Sequence, residues 1–240
     1  MSFYSEIAEY YDFIFPFNKA HVEFVKNCTE RPYGGKTILD VGCGTGDLTT
    51  ALTEIGFRVT GIDYDREMLA EAKKKGKSSV IFLQVDMRSL AAAFNPATFD
   101  AVLCFGNTLV HLSGLPEVEA FCRAVREVLR SKGKFLLQIL NYDHVLDHGI
   151  RTLPLIENDL VRFERFYRHD DRTNMIAFKT KLFVKKTQKE IENEILLYPM
   201  RKSDLEAALR KTGFTNISFY GDFDKRELSE DSLPLVVEAQ

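Results

Sequence analysis

Two hydrophobic rhythms alternate along the first half of the chain. Short, nearly continuous apolar runs at Thr37–Val41, Arg58–Ile62, Val80–Val85, Phe99–Phe105 and Lys134–Leu140 read as strands buried on both faces. Between them lie segments of helical period. One runs from about Asp47 to Ile55 and stops at Gly56. A second is capped by Asp65 and ends at Gly76, with lysines in its last turn where they suit the helix dipole. The third, Pro116–Ser131, puts Val118, Phe121, Cys122, Val125, Val128 and Leu129 on one face before Gly133 closes it. Strands separated by helices predict a doubly wound α/β fold with a parallel sheet and right-handed crossovers.

After Tyr142 the rhythm changes. Residues 160–198 hold three alternating segments with breaks at Asp170–Asn174 and Thr187–Gln188, which predicts an inserted antiparallel β-hairpin lid. A turn centred on Thr187–Gln188 pairs Lys185 with Glu190 and Lys181 with Glu194 on one face. It pairs Val184 with Ile191 and Phe178 with Leu197 on the other. Ser203 and Glu206 then form a capping box for a helix through Leu205, Ala208 and Leu209 that stops at Gly213. Strands near Asn216–Tyr220 and Leu233–Ala239 have no helical pattern between them and read as an antiparallel pair at the sheet edge. The expected organisation is an N-terminal helical segment, 1–36; a core of 37–149 and 199–240; and the insertion, 150–198.

Composition narrows the field. The 240 residues are 45% hydrophobic and 28% charged, which excludes a disordered chain or a disulfide scaffold. A net charge of -3 offers no global field for nucleic acid, and the lysines of KTKLFVKK face glutamates in the expected hairpin. No apolar run is long enough to span a bilayer, and MSFYSEIAEYYDF has no basic, apolar leader pattern. Cys28, Cys43, Cys104 and Cys122 form no CxxC pair, so a reduced, cytoplasmic compartment is expected.

The chemistry gathers at strand ends. Leu39-Asp40-Val41-Gly42-Cys43-Gly44-Thr45-Gly46-Asp47 runs a strand into a glycine turn and a helix. Glycines allow positive φ and close approach of a ligand, and the helix start offers free N–H groups to an anion. Asp63 ends the second strand 21 positions after Gly42, where a carboxylate can accept both hydroxyls of a ribose. Asp86, in Val85-Asp86-Met87, ends the third, where a carboxylate and the next N–H can read an adenine edge. Phe99–Asn107 ends the fourth in the same crevice.

Together these segments resemble the class I S-adenosylmethionine-dependent methyltransferases. LDVGCGTG is similar to their first motif, GIDYDREML to their second, VDM to the adenine motif and FDAVLCFGN to the fourth-strand motif. The resemblance implies a Rossmann-like seven-stranded sheet with a reversed last strand. It implies S-adenosyl-L-methionine as cofactor, S-adenosyl-L-homocysteine as product and a small-molecule methyl acceptor. By the same resemblance Asp40, Gly42, Gly44 and Gly46 would surround the methionine part, and Asp63 and its neighbour Tyr64 the ribose. Asp86 and Met87 would hold adenine, and Cys104, followed by Phe105, would offer a carbonyl to the cofactor's amino group. The opening YSEIAEYYDF is similar to the segment that lids the cofactor in many members, which puts Tyr4 and Tyr11 beside the methionine or sulfonium.

A narrower resemblance is to glycine and sarcosine N-methyltransferases. It rests on Gly106-Asn107-Thr108-Leu109-Val110-His111-Leu112 and on Asn141-Tyr142-Asp143-His144-Val145-Leu146-Asp147-His148-Gly149. It implies an amine acceptor, with Asn107 facing it and Tyr142 near. Those enzymes carry an arginine just before NYD to grip a carboxylate bidentately; Leu140 stands there in this chain. A neutral amine needs little base, whereas a hydroxyl or carbon acid needs one, for which His111 or His144 is nearest. His144 and His148 share a helix face without an HExxH pattern, so no metal is expected. A nicotinamide-dependent dehydrogenase would also use Asp63, but its fingerprint is G-x-G-x-x-G, and Asp47 would repel a pyrophosphate. A non-catalytic S-adenosylmethionine-binding protein would share these features, and turnover separates it.

Overall fold

The computed structural model describes residues 3–29, 36–76 and 79–240. Parts of the expected 1–36 segment, residues 1–2 and 30–35, lie outside the described residues. Three helices open the chain: α1 (Phe3–Ile7), α2 (Tyr11–Ile14) and α3 (Lys19–Thr29). The core then alternates as β1 (Thr37–Val41), α4 (Asp47–Glu54), β2 (Arg58–Asp63), α5 (Arg66–Lys75) and β3 (Ile81–Gln84). It continues through α6 (Leu90–Ala93), β4 (Phe99–Cys104), α7 (Leu115–Val128), β5 (Leu129–Leu140) and α8 (Tyr142–Asp147). The inserted strands are β6 (Ile156–Glu157), β7 (Val161–Asp170), β8 (Met175–Val184) and β9 (Lys189–Leu197). The chain closes with α9 (Lys202–Lys211), β10 (Ile217–Tyr220) and β11 (Pro234–Ala239).

Seven strands make the main sheet in the order β10-β11-β5-β4-β1-β2-β3. The five central and right-hand strands are parallel, while β11 runs antiparallel to both β5 and β10. Alternating side chains feed two cores: Leu39, Val102 and Leu137 meet α7 and α9 on one face, and Ile38, Leu103 and Leu136 meet α3 and α4 on the other. The chain reverses its direction of winding between β1 and β4. That opens a crevice at their carboxyl ends, the place where such sheets bind ligands.

Local chemistry departs from the sequence reading in five places. β3 is an edge strand, so Ile81 and Leu83 are exposed rather than buried on both faces. Helix α7 ends at Val128, not Ser131, because Leu129 is already paired with Phe99 as a strand. The insertion is a four-stranded sheet, the short β6 adding to the three expected segments.

The β8–β9 register is two residues from the expected one. Four residues, 185–188, make the turn, with Gln188 at φ 54, so Lys181 faces Glu192 and Leu182 faces Ile191. Likewise Val184 faces Lys189 and Phe178 faces Ile195, while Lys185, inside the turn, pairs with Glu157 at 3.0 Å. A shift of two keeps every side chain on its expected face. Ser203 does not cap α9. Its N-cap is Arg201, and Asp143 Oδ2 accepts from Lys202 N at 3.0 Å while the Arg201 guanidinium bridges Asp143 and Asp147.

Asp65 caps α5 as the sequence indicates, accepting from Glu67 N and Met68 N, and its other oxygen accepts from Ser5 Oγ at 2.7 Å. Asp65→Ala is therefore expected to lower stability by about 1–2 kcal/mol in urea unfolding, with Asp65→Asn recovering most of the loss.

Candidate functional site

The turn after β1 defines the site. Gly42 N and Cys43 N both donate to Ile62 O, at 2.8 and 2.9 Å, and Gly44 N donates to Asp63 Oδ2 at 2.9 Å. Gly42, Gly44 and Gly46 all have positive φ. A Cβ on Gly42 would also sit 2.5 Å from the Thr108 side chain, so that position has no room for one.

Two adjoining cavities lie above this turn. The first is lined by Gly42, Gly44, Asp63, Asp86, Met87 and their neighbours. The second, a chamber of about 480 Å³, is lined by Asp40, Asn107, Gln138, Arg165, Tyr167 and further apolar side chains. Tyr4, Tyr11, Gly42, Phe105 and Gly106 border both.

Three of the carboxyl groups that face these spaces are in different states. Asp40 is buried and accepts from Thr49 Oγ1 at 2.6 Å, and burial raises its pKa to about 6 against that bond. Burial raises Asp63 too, opposed by N–H groups from Asp65 and Gly44. Each Asp63 oxygen keeps a lone pair for a further donor. Asp86 is held below the usual range by Arg88, which grips both its oxygens, at 3.0, 3.1 and 2.7 Å.

An uncharged polar wall closes the junction of the cavities. Asn107, at φ 66, accepts from Leu140 N on Oδ1 at 3.0 Å and donates Nδ2 to Tyr142 OH at 3.0 Å. These two bonds fix the amide's orientation. Tyr4 OH lies 2.8 Å from His111 Nε2. Burial lowers His111 to about 4 and raises Tyr4, Tyr11 and Tyr142, so all four are neutral near pH 7.

Above the wall, Phe3, Ile7 and Ile14 from the N-terminal helices share one apolar core with Val161, Phe163 and Leu182 of the inserted sheet. Asn158 Nδ2 donates to Phe13 O at 2.8 Å, and Asp12 bonds to Thr45 in the glycine turn and to Lys75. The two segments thus form one roof.

Of the residues expected here, Tyr4, Tyr11, Asp40, Gly42, Gly44, Asp63, Tyr64, Asp86, Met87, Phe105, Asn107 and His111 line the cavities. Gly46 sits behind the turn against Phe82, and Tyr142 lines neither cavity but backs the wall through Asn107 and Tyr167. Cys104 is wholly buried and borders neither cavity; the wall begins at Phe105. His144 also lies outside, its Nδ1 bonded to Glu230 O at 2.8 Å. Asp231 joins His144 and His148 there, their ligand-type atoms within 4.8 Å of one another on the protein surface. Sequence reasoning missed Arg88, Thr108, Gln138, Arg165 and Tyr167. Only Arg165 had a legible signal, a charge at an inward position of the alternating Val161–Tyr167 run.

Comparison with known proteins agrees with this architecture. Residues 38–133 match a family described as a methyltransferase domain. A glycine/sarcosine N-methyltransferase of Aphanothece halophytica is 28% identical over 213 residues, covering 87% of this chain and 76% of the relative. The CcbJ methyltransferase of Streptomyces caelestis superposes with a TM-score of 0.83 at 19% identity, covering 99% of this chain and 97% of the other. An S-adenosylmethionine-dependent methyltransferase of Clostridium acetobutylicum gives 0.79 at 20% identity, covering 100% and 99%. Residues 38–133 thus carry a methyltransferase domain, in a chain whose whole fold is that of S-adenosylmethionine-dependent methyltransferases. Among the described residues no helix is long and apolar enough to cross a membrane.

Gly42→Ala combines a left-handed φ with the Thr108 overlap. It is expected to cost about 1–3 kcal/mol of stability in denaturant titration. S-adenosylhomocysteine affinity, read by calorimetry, should fall with it.

Proposed function

We propose that this enzyme transfers the methyl group of S-adenosylmethionine to the nitrogen of a small amine held in the second chamber. The observation that carries the reading is the neutral wall of Asn107, Tyr142, Tyr4 and His111. A hydroxyl acceptor needs a base with a pKa near the working pH, and His111, lowered to about 4, is too weak. A neutral amine carries its own lone pair. The glycine/sarcosine N-methyltransferase relative and a chamber of small-molecule size support the same reading.

The donor set fits the cofactor. Asp63 has free lone pairs for ribose hydroxyls, Val85 and Met87 give apolar cover for adenine beside Asp86, and Asp40 offers a carboxylate to an ammonium. Tyr4, Tyr11 and Phe105 set aromatic rings where the two cavities meet, a suitable lining for a sulfonium. When bound, S-adenosylmethionine supplies an activated methyl carbon, so the protein's task is orientation and exclusion of water. Asn107, fixed by Leu140 N and Tyr142, has one Oδ1 lone pair and one Nδ2 hydrogen left to orient an amine. Phe3, Phe15, Leu153 and Phe178 keep water out of the chamber. His111, lowered to about 4, takes up no second proton near pH 7, so the proton shed by the methylated amine leaves to solvent.

Labelled methyl transfer over pooled small amines and hydroxyl compounds tests this. Amines should be labelled and hydroxyl compounds not; a reversed pattern, or no labelled amine, overturns the reading. Asn107→Ala should lower kcat by about 10²-fold through lost orientation, with S-adenosylhomocysteine affinity within about twofold.

Asp40 gives a pH signature. Its carboxyl, at about 6 in the free protein, is driven to ionise by a partnering ammonium. At pH 6 about half the molecules are protonated, so S-adenosylhomocysteine binding should release up to about half a proton. The release is read from calorimetry in buffers of different ionisation enthalpy. It should vanish at pH 8 and in Asp40→Asn, and affinity should fall as pH drops below 6.

A further inference from the structure

Strand β7 alternates cleanly, with Val161, Phe163 and Tyr167 buried and Arg162 and Arg168 exposed. Arg165 occupies an inward position of that series, where the pattern calls for an apolar residue. Its guanidinium donates Nη2 to Pro154 O at 2.7 Å and lies 6.0 Å from the centre of the Phe15 ring. Its Nε is buried with no hydrogen-bond partner. None of the ion pairs among the described residues involves it, and no other lysine or arginine lines the chamber. A guanidinium stays protonated in proteins, and a buried donor left unpaired costs free energy. An anion entering the chamber would complete it.

We propose that Arg165 is the anion-receiving side chain of the chamber, so that the acceptor carries a carboxylate or phosphate group beside its amine. Arg165 and Tyr167 stand two residues apart on one face, about 7 Å along the strand. The Tyr167 hydroxyl interacts with Tyr142, which holds Asn107. An acceptor spanning the two ends is therefore a short molecule, its anionic end on the guanidinium fork and its amine at the amide wall. Four of the five N–H groups remain beside the bond to Pro154 O, enough to meet the two oxygens of an anion. The inference rests on the small-amine reading.

The test titrates matched pairs into protein saturated with S-adenosylhomocysteine: glycine and glycinamide, sarcosine and sarcosinamide, β-alanine and its amide, phosphoethanolamine and ethanolamine. In the wild type at least one member bearing the anionic group should bind about tenfold or more tightly than its twin without that group. Preference among the acids names a carboxylate, and preference for phosphoethanolamine names a phosphate. Arg165→Met should bring that ratio to about one, with S-adenosylhomocysteine affinity within twofold of wild type. Should Arg165→Met not fold, Arg165→Lys, which keeps charge without the planar fork, should cut the ratio severalfold.

No anionic preference in the wild type, or a preference that either substitution leaves undiminished, overturns the proposal. A tenfold loss of S-adenosylhomocysteine affinity in the variant also overturns it, by giving the guanidinium to the cofactor's own carboxylate. Wild-type protein that binds S-adenosylhomocysteine yet labels no amine fails the small-amine reading instead.

Discussion

Three consecutive main-chain N–H groups, those of Gly42, Cys43 and Gly44, are bonded to the end of β2, two to the Ile62 carbonyl and one to the Asp63 carboxylate. A backbone that turns its donors sideways in this way neither extends β1 nor begins α4 at once, and it requires left-handed conformations that side chains resist. The turn therefore fixes the gap between β1 and β4, and Thr108 packs into Gly42 from the far side of that gap. Asp63 belongs to this scaffold before it meets any ligand. Burial opposes its charge and the two N–H bonds favour it, so the carboxylate is already oriented.

The roof follows a different logic. Its polar ties, Ser5 to Asp65 and Lys75 to Asp12 and Asp47, lie at a partly exposed rim, where single ion pairs contribute little. The apolar cluster that includes Phe3, Ile7, Ile14, Val161 and Phe163 supplies the cohesion, and three of its eight buried side chains come from the first fourteen residues. The N-terminal helices and the inserted sheet, separated by more than a hundred residues, depend on each other for burial. The chamber's shape consequently depends on both, although neither belongs to the wound sheet.

What could be read from the sequence was what has a local cause. The alternation of strands and helices in the parallel core, the antiparallel β10–β11 pair, the Asp65 cap and the glycine turn each follow from periodicity, connection length or one residue's conformational freedom. The misreadings have long-range causes. Ser203 has the capping-box pattern, but Asp143, some sixty residues earlier, satisfies the helix start instead. The two-residue slip in the β8–β9 pairing came from the turn. Period-two alternation identifies a face but not a partner, and Gln188 in a left-handed conformation lengthens the loop. Arg88 on Asp86 and Tyr142 on Asn107 were invisible as partnerships, because nothing in a linear pattern says which neighbour a side chain will reach.

Charge is scarce where the cavities meet, and the methyl transfer to an amine proposed above explains why this is tolerable. Passing a methyl group from a sulfonium to a neutral amine relocates one positive charge without creating another. No oxyanion or new cation needs a preorganised partner, unlike acyl transfer. The same low-dielectric surroundings that lower His111 to about 4 would cripple an enzyme relying on that imidazole as its base. They cost little where catalysis rests on alignment, for which a rigid amide held by two hydrogen bonds and a ring of aromatic faces is well suited. In such a setting an unpaired guanidinium stands out, since the dielectric that weakens ionisable groups nearby also strengthens its pull on any anion that enters.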